Sequence, residues 1–257
     1  MTSEKKMQYA VLQYSPSLVS GESINVGIVV ASTDEPLFKF VETKKLARVR
    51  EFDDTIDIEE LKKVLRAIAY ELETTLENCM QKFDIRSFTQ YYLNEYHFTR
   101  VIELPYANFD DSIKELSKLY LPYDFAKNQR ASYSEEIKFI RKILTFNQVE
   151  FKRNVREIGH YQDNITYDFK IGKYGIKLFW LKGKELSRIV NDVKAWAWNC
   201  EHQPEGTETV IIYDADDEGV QRQLSMILGI LRESSSYIYS WKDGIQWLSK
   251  LSSGKQV

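Results

Sequence analysis

Two periodicities divide the chain. Over 8–14 and 24–31, apolar residues rich in Val, Ile and Tyr form short runs, separated by Ser15-Pro16-Ser17 and Ser20-Gly21. Runs of that composition bounded by turn residues are expected to be neighbouring strands. The second, INVGIVVA, is apolar at nearly every position and is expected to be buried on both faces. Residues 37–42 extend the same sheet as a third strand. From Asp57 the spacing changes to threes and fours: Ile58, Leu61, Leu65, Ile68, Leu72 and Leu76 fall on one stripe. That spacing predicts a long amphipathic helix, opened by a capping-box-like Asp57 and Glu60. A strand over 98–104 and a helix capped by Asp110, with Ile113, Leu116 and Leu119 on one stripe, complete the first part.

The segment 124–132, DFAKNQRAS, is the most polar gap in the middle of the chain and marks a boundary between a domain over 1–125 and another over 132–257. Ser132 and Glu135 open the next helix as a second capping box. A hairpin over 165–181 follows. A four-residue turn at Gly172-Lys173-Tyr174-Gly175 pairs Ile171 with Ile176, Phe169 with Leu178 and Tyr167 with Trp180, which makes one face apolar. The other face carries Asp168, Lys170 and Lys177. A helix over 184–202, a strand over 209–213, a helix over 220–233, a short strand at Tyr237 and a last helix near Trp241 finish the chain. The expected class is α+β: a mostly antiparallel N-terminal sheet with a long helix, then a C-terminal hairpin, helix, strand and helix layer.

Composition narrows the picture only a little. With 257 residues, 43% hydrophobic and 13% aromatic, the chain can bury real cores, so global disorder is not expected. A charged fraction of 28% with a net charge of −3 gives a mixed surface rather than the strong positive field of a dedicated nucleic-acid binder. Cys79 and Cys200 fall on apolar sides of predicted helices and are expected to be reduced, which fits a cytoplasmic protein. Residues 1–8 are polar, and no apolar run approaches the ~20 residues that span a bilayer, so neither export nor membrane insertion is expected.

Tyr14 and Pro16 precede a loop, and Gly21-Glu22-Ser23-Ile24-Asn25-Val26-Gly27 then leads into a β-rich run. This segment resembles the family catalogued as "domain of unknown function 3037". The likeness continues through the basic segment 44–50 and through 98–121, where a strand leads to a helix ending in Leu-Tyr-Leu. The family has no established activity, so the resemblance implies a fold rather than a mechanism. It also implies a bacterial or phage setting, with HipA-like kinases as candidate partners; a phage protein that blocks a host defence factor would have the same sequence features. The C-terminal half is similar to phage-associated domains related to the restriction-endonuclease fold.

Each candidate constellation has a structural reading beside the functional one. Glu22, Asn25 and Gly27 can form a binding edge, with Glu22 reaching Arg48 or Arg50. Equally, Asn at a strand entrance bonds local backbone, and Gly in a strand marks a bulge or close packing. A nuclease of the PD-(D/E)XK type needs an Asp at one strand end and Glu-x-Lys on the next. Asp168 supplies the first carboxylate, but Trp180-Leu181-Lys182 puts Trp where the acid belongs, and the register places Lys182 on the opposite face. Lys170, Lys173, Lys177, Lys182, Lys184 and Arg188 form a local basic excess that suits phosphates or, alternatively, a solvated rim.

The run from Asp214 to Gly219 imitates the start of a calcium loop, yet Ser225 stands where a bidentate Glu is required. Cys200 and His202 have ligand spacing but no second pair to complete a zinc site. No phosphate-binding glycine loop or nucleophile elbow occurs, so no cofactor and no catalytic residue is expected. In the helix over 184–202, Trp196 shares the Val193 side and reads as core, whereas Trp198 points elsewhere and is the better interface residue. The leading expectation is therefore a non-enzymatic interaction or regulatory protein that binds another protein, using Glu22, Asn25 and Trp198. The alternative is a nucleic-acid-binding or vestigial nuclease domain that uses Asp168 and the basic hairpin.

Overall fold

The computed structural model describes residues 5–17, 22–78, 83–90, 95–181, 184–214 and 218–251, without the side chains of 75–78 and 218–223. The chain forms two compact units, residues 1–142 and 143–257. The predicted boundary segment, 124–132, contains the 3-10 turn Lys127–Gln129 and is entered through another, Pro122–Asp124. The division between the units falls instead inside the helix that follows.

In the first unit, β1 (Lys6–Tyr14), β2 (Ile24–Ser32) and β3 (Phe38–Glu42) form an antiparallel meander. They are followed by α1 (Leu46–Phe52), α2 (Ile58–Asn78), α3 (Ile85–Phe88), β4 (Tyr96–Phe98), β5 (Ile102–Pro105), α4 (Phe109–Tyr120) and α5 (Tyr133–Phe146). β1 is central: β2 lies along one side, and β4 and β5 share the other. Both faces of this sheet are covered. Ala10, Leu12 and Tyr14 pack with Leu61, Leu65, Ile68 and Leu72 of α2, while Tyr9 on the opposite side meets Tyr120 and Phe139. Being covered twice explains why β2 reads as an unbroken apolar run.

The caps follow the chemistry of orphan helix N–H groups. Asp57 accepts from the amides of Glu59 and Glu60 at the entrance of α2. Ser132 and Glu135 close a reciprocal box, with the Ser132 amide donating to Glu135 at 2.8 Å. Two expectations need correction. The strand expected over 98–104 is two short strands, and α4 is capped by Asn108, not Asp110, through a 3.0 Å bond from the Asp111 amide. Asn108 is the residue with extended backbone just before the first turn, which is what a cap requires; Asp110 already lies inside that turn, where its charge complements the helix dipole. Asp124 joins distant segments by accepting from Thr43 Oγ1 and from the amides of Lys44 and Lys45 ahead of α1.

In the second unit, β6 (Lys152–Ile158), β7 (Asn164–Ile171), β8 (Tyr174–Phe179), α6 (Leu186–Glu201), β9 (Glu208–Tyr213), α7 (Glu218–Ser234), β10 (Tyr237–Ser240) and α8 (Trp241–Lys250) build a mixed sheet in the order β10-β9-β8-β7-β6. β8, β9 and β10 run parallel and are joined through helices, as parallel neighbours require. Phe179, Ile211, Ile189, Val193, Ile227 and Leu231 form the core between the sheet and the α6 and α7 layer. On the other face α8 approaches so closely that a Cβ on Gly244 would lie 2.7 Å from Ile212. The whole molecule is thus α+β, with a mostly antiparallel N-terminal sheet.

Candidate interaction surface

The family-like motif of the first unit is largely consumed by its own fold. Gln13 Nε2 donates to Asn25 Oδ1 at 2.7 Å, and Asn25 Nδ2 donates to the Tyr120 carbonyl at 3.0 Å. The β1–β2 ladder slips between Leu12 and Gln13, so Val26 is the extra residue of a bulge. Gly27 is required by packing, since a Cβ there would lie 2.7 Å from the Phe40 ring. Glu22 is exposed. Arg48 lies over the Tyr123 ring, 3.2 Å from its centroid, beside a shallow recess that Asn25, Lys45 and Tyr120 also line.

The hairpin joins the two expected strands but with another turn and other residue pairs. Ile171 faces Tyr174 and Phe169 faces Ile176, so the loop is two residues, Gly172 and Lys173, rather than four. Gly172 has a φ of +54°, which a two-residue hairpin needs at its first central position and which glycine adopts without penalty. The shift is by two residues. It brings Lys177 to Asp168 at 3.1 Å, and Asp168 also accepts from the Leu178 amide at 2.8 Å.

The uniform apolar face also needs correction. Tyr167 packs on Trp196, whereas Phe169 packs on Phe151. The β6–β7 ladder skips Asn154 and Asp168, where Asn154 takes a φ of +48°, so the alternation breaks at that pair.

The basic residues are mostly paired. Lys170 meets Glu157 at 2.8 Å, Lys173 meets Glu208 at 2.6 Å and Lys184 meets Asp192 at 3.3 Å. Arg188 is exposed, and Lys182 lies outside the described residues. With Lys177 on Asp168, four lysines of the expected patch each have a carboxylate, which removes most of the local positive excess.

Cys200 is buried, and burial pushes its thiol up to about 11, the opposite of what a metal-binding thiolate needs. Cys79 lies outside the described residues. Asp214, the first residue of the calcium-like run, is buried and accepts from the Leu181 amide at 2.5 Å; residues 215–217 of that run lie outside the described residues. Among the described residues no three His, Cys, Asp or Glu side chains converge as a metal site.

The most distinctive surface feature surrounds Trp198. Trp196 is held between Tyr167 and Phe179, as its core position predicts. Trp198, 52% exposed, stacks on Tyr161, 62% exposed, with centroids 5.8 Å apart and planes within 23°. His202 packs against both, at 3.9 Å from Trp198 and 4.9 Å from Tyr161, and His160 meets Tyr161 edge-on at 5.3 Å. Two hydrogen-bond contacts hold the group: His160 donates its amide to the His202 carbonyl, and the His202 ring Nδ1 lies 2.8 Å from the Trp198 carbonyl. Tyr161 and His160 carry no motif in the sequence, and His202 enters there only as a zinc ligand spaced from Cys200. The available signal was the four-residue separation of Trp198 and His202, which places them on one side of a helix.

No curated protein and no solved structure matches the chain. Residues 9–96 match a family model described as "Protein of unknown function (DUF3037)", so the first unit carries the similarity read from Tyr14, Pro16 and the segment Glu22 to Gly27.

Proposed function

We propose that this is a non-enzymatic interaction protein whose second unit binds a protein partner through the Tyr161–Trp198–His202 cluster. The carrying observation is that three aromatic rings are pre-stacked while two of them remain more than half exposed. Large rings left in water cost solvation free energy, and rigid aromatic side chains lose little conformational entropy on docking, which is why they dominate interface centres. The pairing of Lys170, Lys173, Lys177 and Lys184 with carboxylates favours this reading over nucleic-acid binding. The family resemblance makes a HipA-like kinase the first partner to test; a host defence factor is the second.

The test is affinity capture from a bacterial lysate with wild type and with a Tyr161→Ala/Trp198→Ala variant of unchanged circular dichroism. A protein retained by the first and lost from the second is the expected result. Identical captures would remove the cluster from the interface, and a capture that disappears on nuclease treatment would replace the protein partner with nucleic acid.

A further inference from the structure

β6 ends the second sheet, and among the described residues β7 alone pairs with it. The outer side of such a strand presents backbone N–H and C=O groups with no ladder partner. Lys152, Arg153, Asn154, Arg156 and Ile158 are all exposed along it. Lys152, Arg153 and Arg156 have no carboxylate partner among the described residues. The contrast with the neighbouring strands is sharp, since Lys170 of β7 and Lys177 of β8 each hold an acid. Among the strands of this sheet, the cations without a carboxylate partner thus fall on this edge. The one acid of the strand, Glu157, is neutralised by Lys170 at 2.8 Å, while Glu150 lies just before the strand. At its other end Ile158, 60% exposed, leads into the turn that carries Tyr161.

We infer that the outer edge of β6 receives an extended acidic segment of a partner protein as an added strand, with carboxylates opposite Lys152, Arg153 and Arg156 and an apolar end against Ile158, Tyr161 and Trp198. This rests on the reading of the aromatic cluster as a protein-binding surface and names the partner's chemistry. Main-chain bonds supply affinity in strand addition, and side chains supply selectivity. Here the charge on β6 selects an acidic strand. A second copy of this chain is disfavoured, because β6 paired with β6 brings like charges together. Single-stranded nucleic acid also combines cations with stacking rings, but it gains nothing from a row of strand-edge amides.

The probe is a fluorescein-labelled peptide of alternating Glu and Val ending in Leu-Phe-Leu, titrated into the full chain by fluorescence polarisation. Saturable binding is expected, with the β6 amides gaining hydrogen-exchange protection. A peptide of equal charge with Pro at alternate positions is expected not to bind, because it lacks the amides of a strand. Arg153→Glu/Arg156→Glu, on exposed positions, is expected to weaken binding by roughly tenfold or more.

Three results overturn the inference: no binding by wild type, equal binding of the Pro peptide, or displacement of the peptide by oligothymidylate. The last outcome assigns the edge to nucleic acid. If Trp198-dependent capture from lysate persists while the peptide fails, strand addition is wrong and the aromatic interface stands. If the peptide binds while capture does not depend on Trp198, the reverse holds.

Discussion

Tyr9 and Tyr120 share a 2.8 Å hydroxyl–hydroxyl bond in the interior of the first unit. Removing one hydroxyl leaves the other buried without its partner, which costs about 1–3 kcal/mol, whereas removing both is nearly neutral. Tyr120→Phe is therefore expected to lower the urea midpoint, and Tyr9→Phe/Tyr120→Phe to recover most of the loss. A double mutant less stable than either single would show that the pair is not an isolated unit. A second residue-scale bond is pH-dependent. Tyr14 donates to Asp53 at 2.5 Å, and this bond, with those from Thr55, holds the Asp53 carboxyl below its ordinary 3.8. A depressed carboxyl stabilises the fold above its unfolded value, and that contribution is lost as pH falls through the folded one. Tyr14→Phe is expected to reduce the loss of stability as pH falls below the carboxyl's ordinary 3.8, measured by denaturant midpoints at successively lower pH.

At the scale of elements, Gly172 makes a clean test because nothing lies within 4 Å of a Cβ built there, so replacement costs only backbone conformation. Gly172→Ala is expected to destabilise the second unit by about 1–2 kcal/mol, and Gly172→Asn by less, since Asn tolerates left-handed backbone. Equal effects of Ala and Asn in thermal melts would mean that the turn can adopt another form.

Elements that bury an apolar face were legible in the sequence: α2 by its stripe, β2 by its unbroken run, α5 by its box. β6 was not, because KRNVREI buries almost nothing and so shows no hydrophobic period. The expected hairpin turn is displaced by two residues because Tyr174 and Gly175 beside Gly172 have the composition of a turn. In the structure Gly175 is a strand residue that makes room for the Tyr167 ring, 2.5 Å from where its Cβ would be. Of the candidate surface, Trp198 was readable from its position off the core stripe. Tyr161 was not, because only the β6–β7 turn brings it to α6, and the site thus depends on the one strand that left no pattern.

At the scale of the whole molecule, charge decides between the two partner classes. The chain holds 38 acidic against 35 Lys and Arg residues, and four lysines of the hairpin region are neutralised by neighbouring carboxylates. Binding to duplex DNA draws its non-specific affinity from cations that displace condensed counterions, with a salt slope of about 0.9 per phosphate engaged. In the second unit the three cations of β6 with Arg188 can engage at most a few phosphates, against the repulsion of a net negative chain.

The protein is therefore expected to pass through heparin at about 0.15 M salt without retention. Any duplex affinity is expected to be weak and to respond to salt with a slope no steeper than about −4. Arg188→Ala is expected to change neither result, whereas Arg153→Glu/Arg156→Glu, by reversing two cations of β6 that have no carboxylate partner, should weaken whatever retention exists at low salt. Retention well above 0.15 M, or a slope of about −6 or steeper, would mean that the lysine–carboxylate pairs open on contact with phosphate, and the hairpin would then be the functional face.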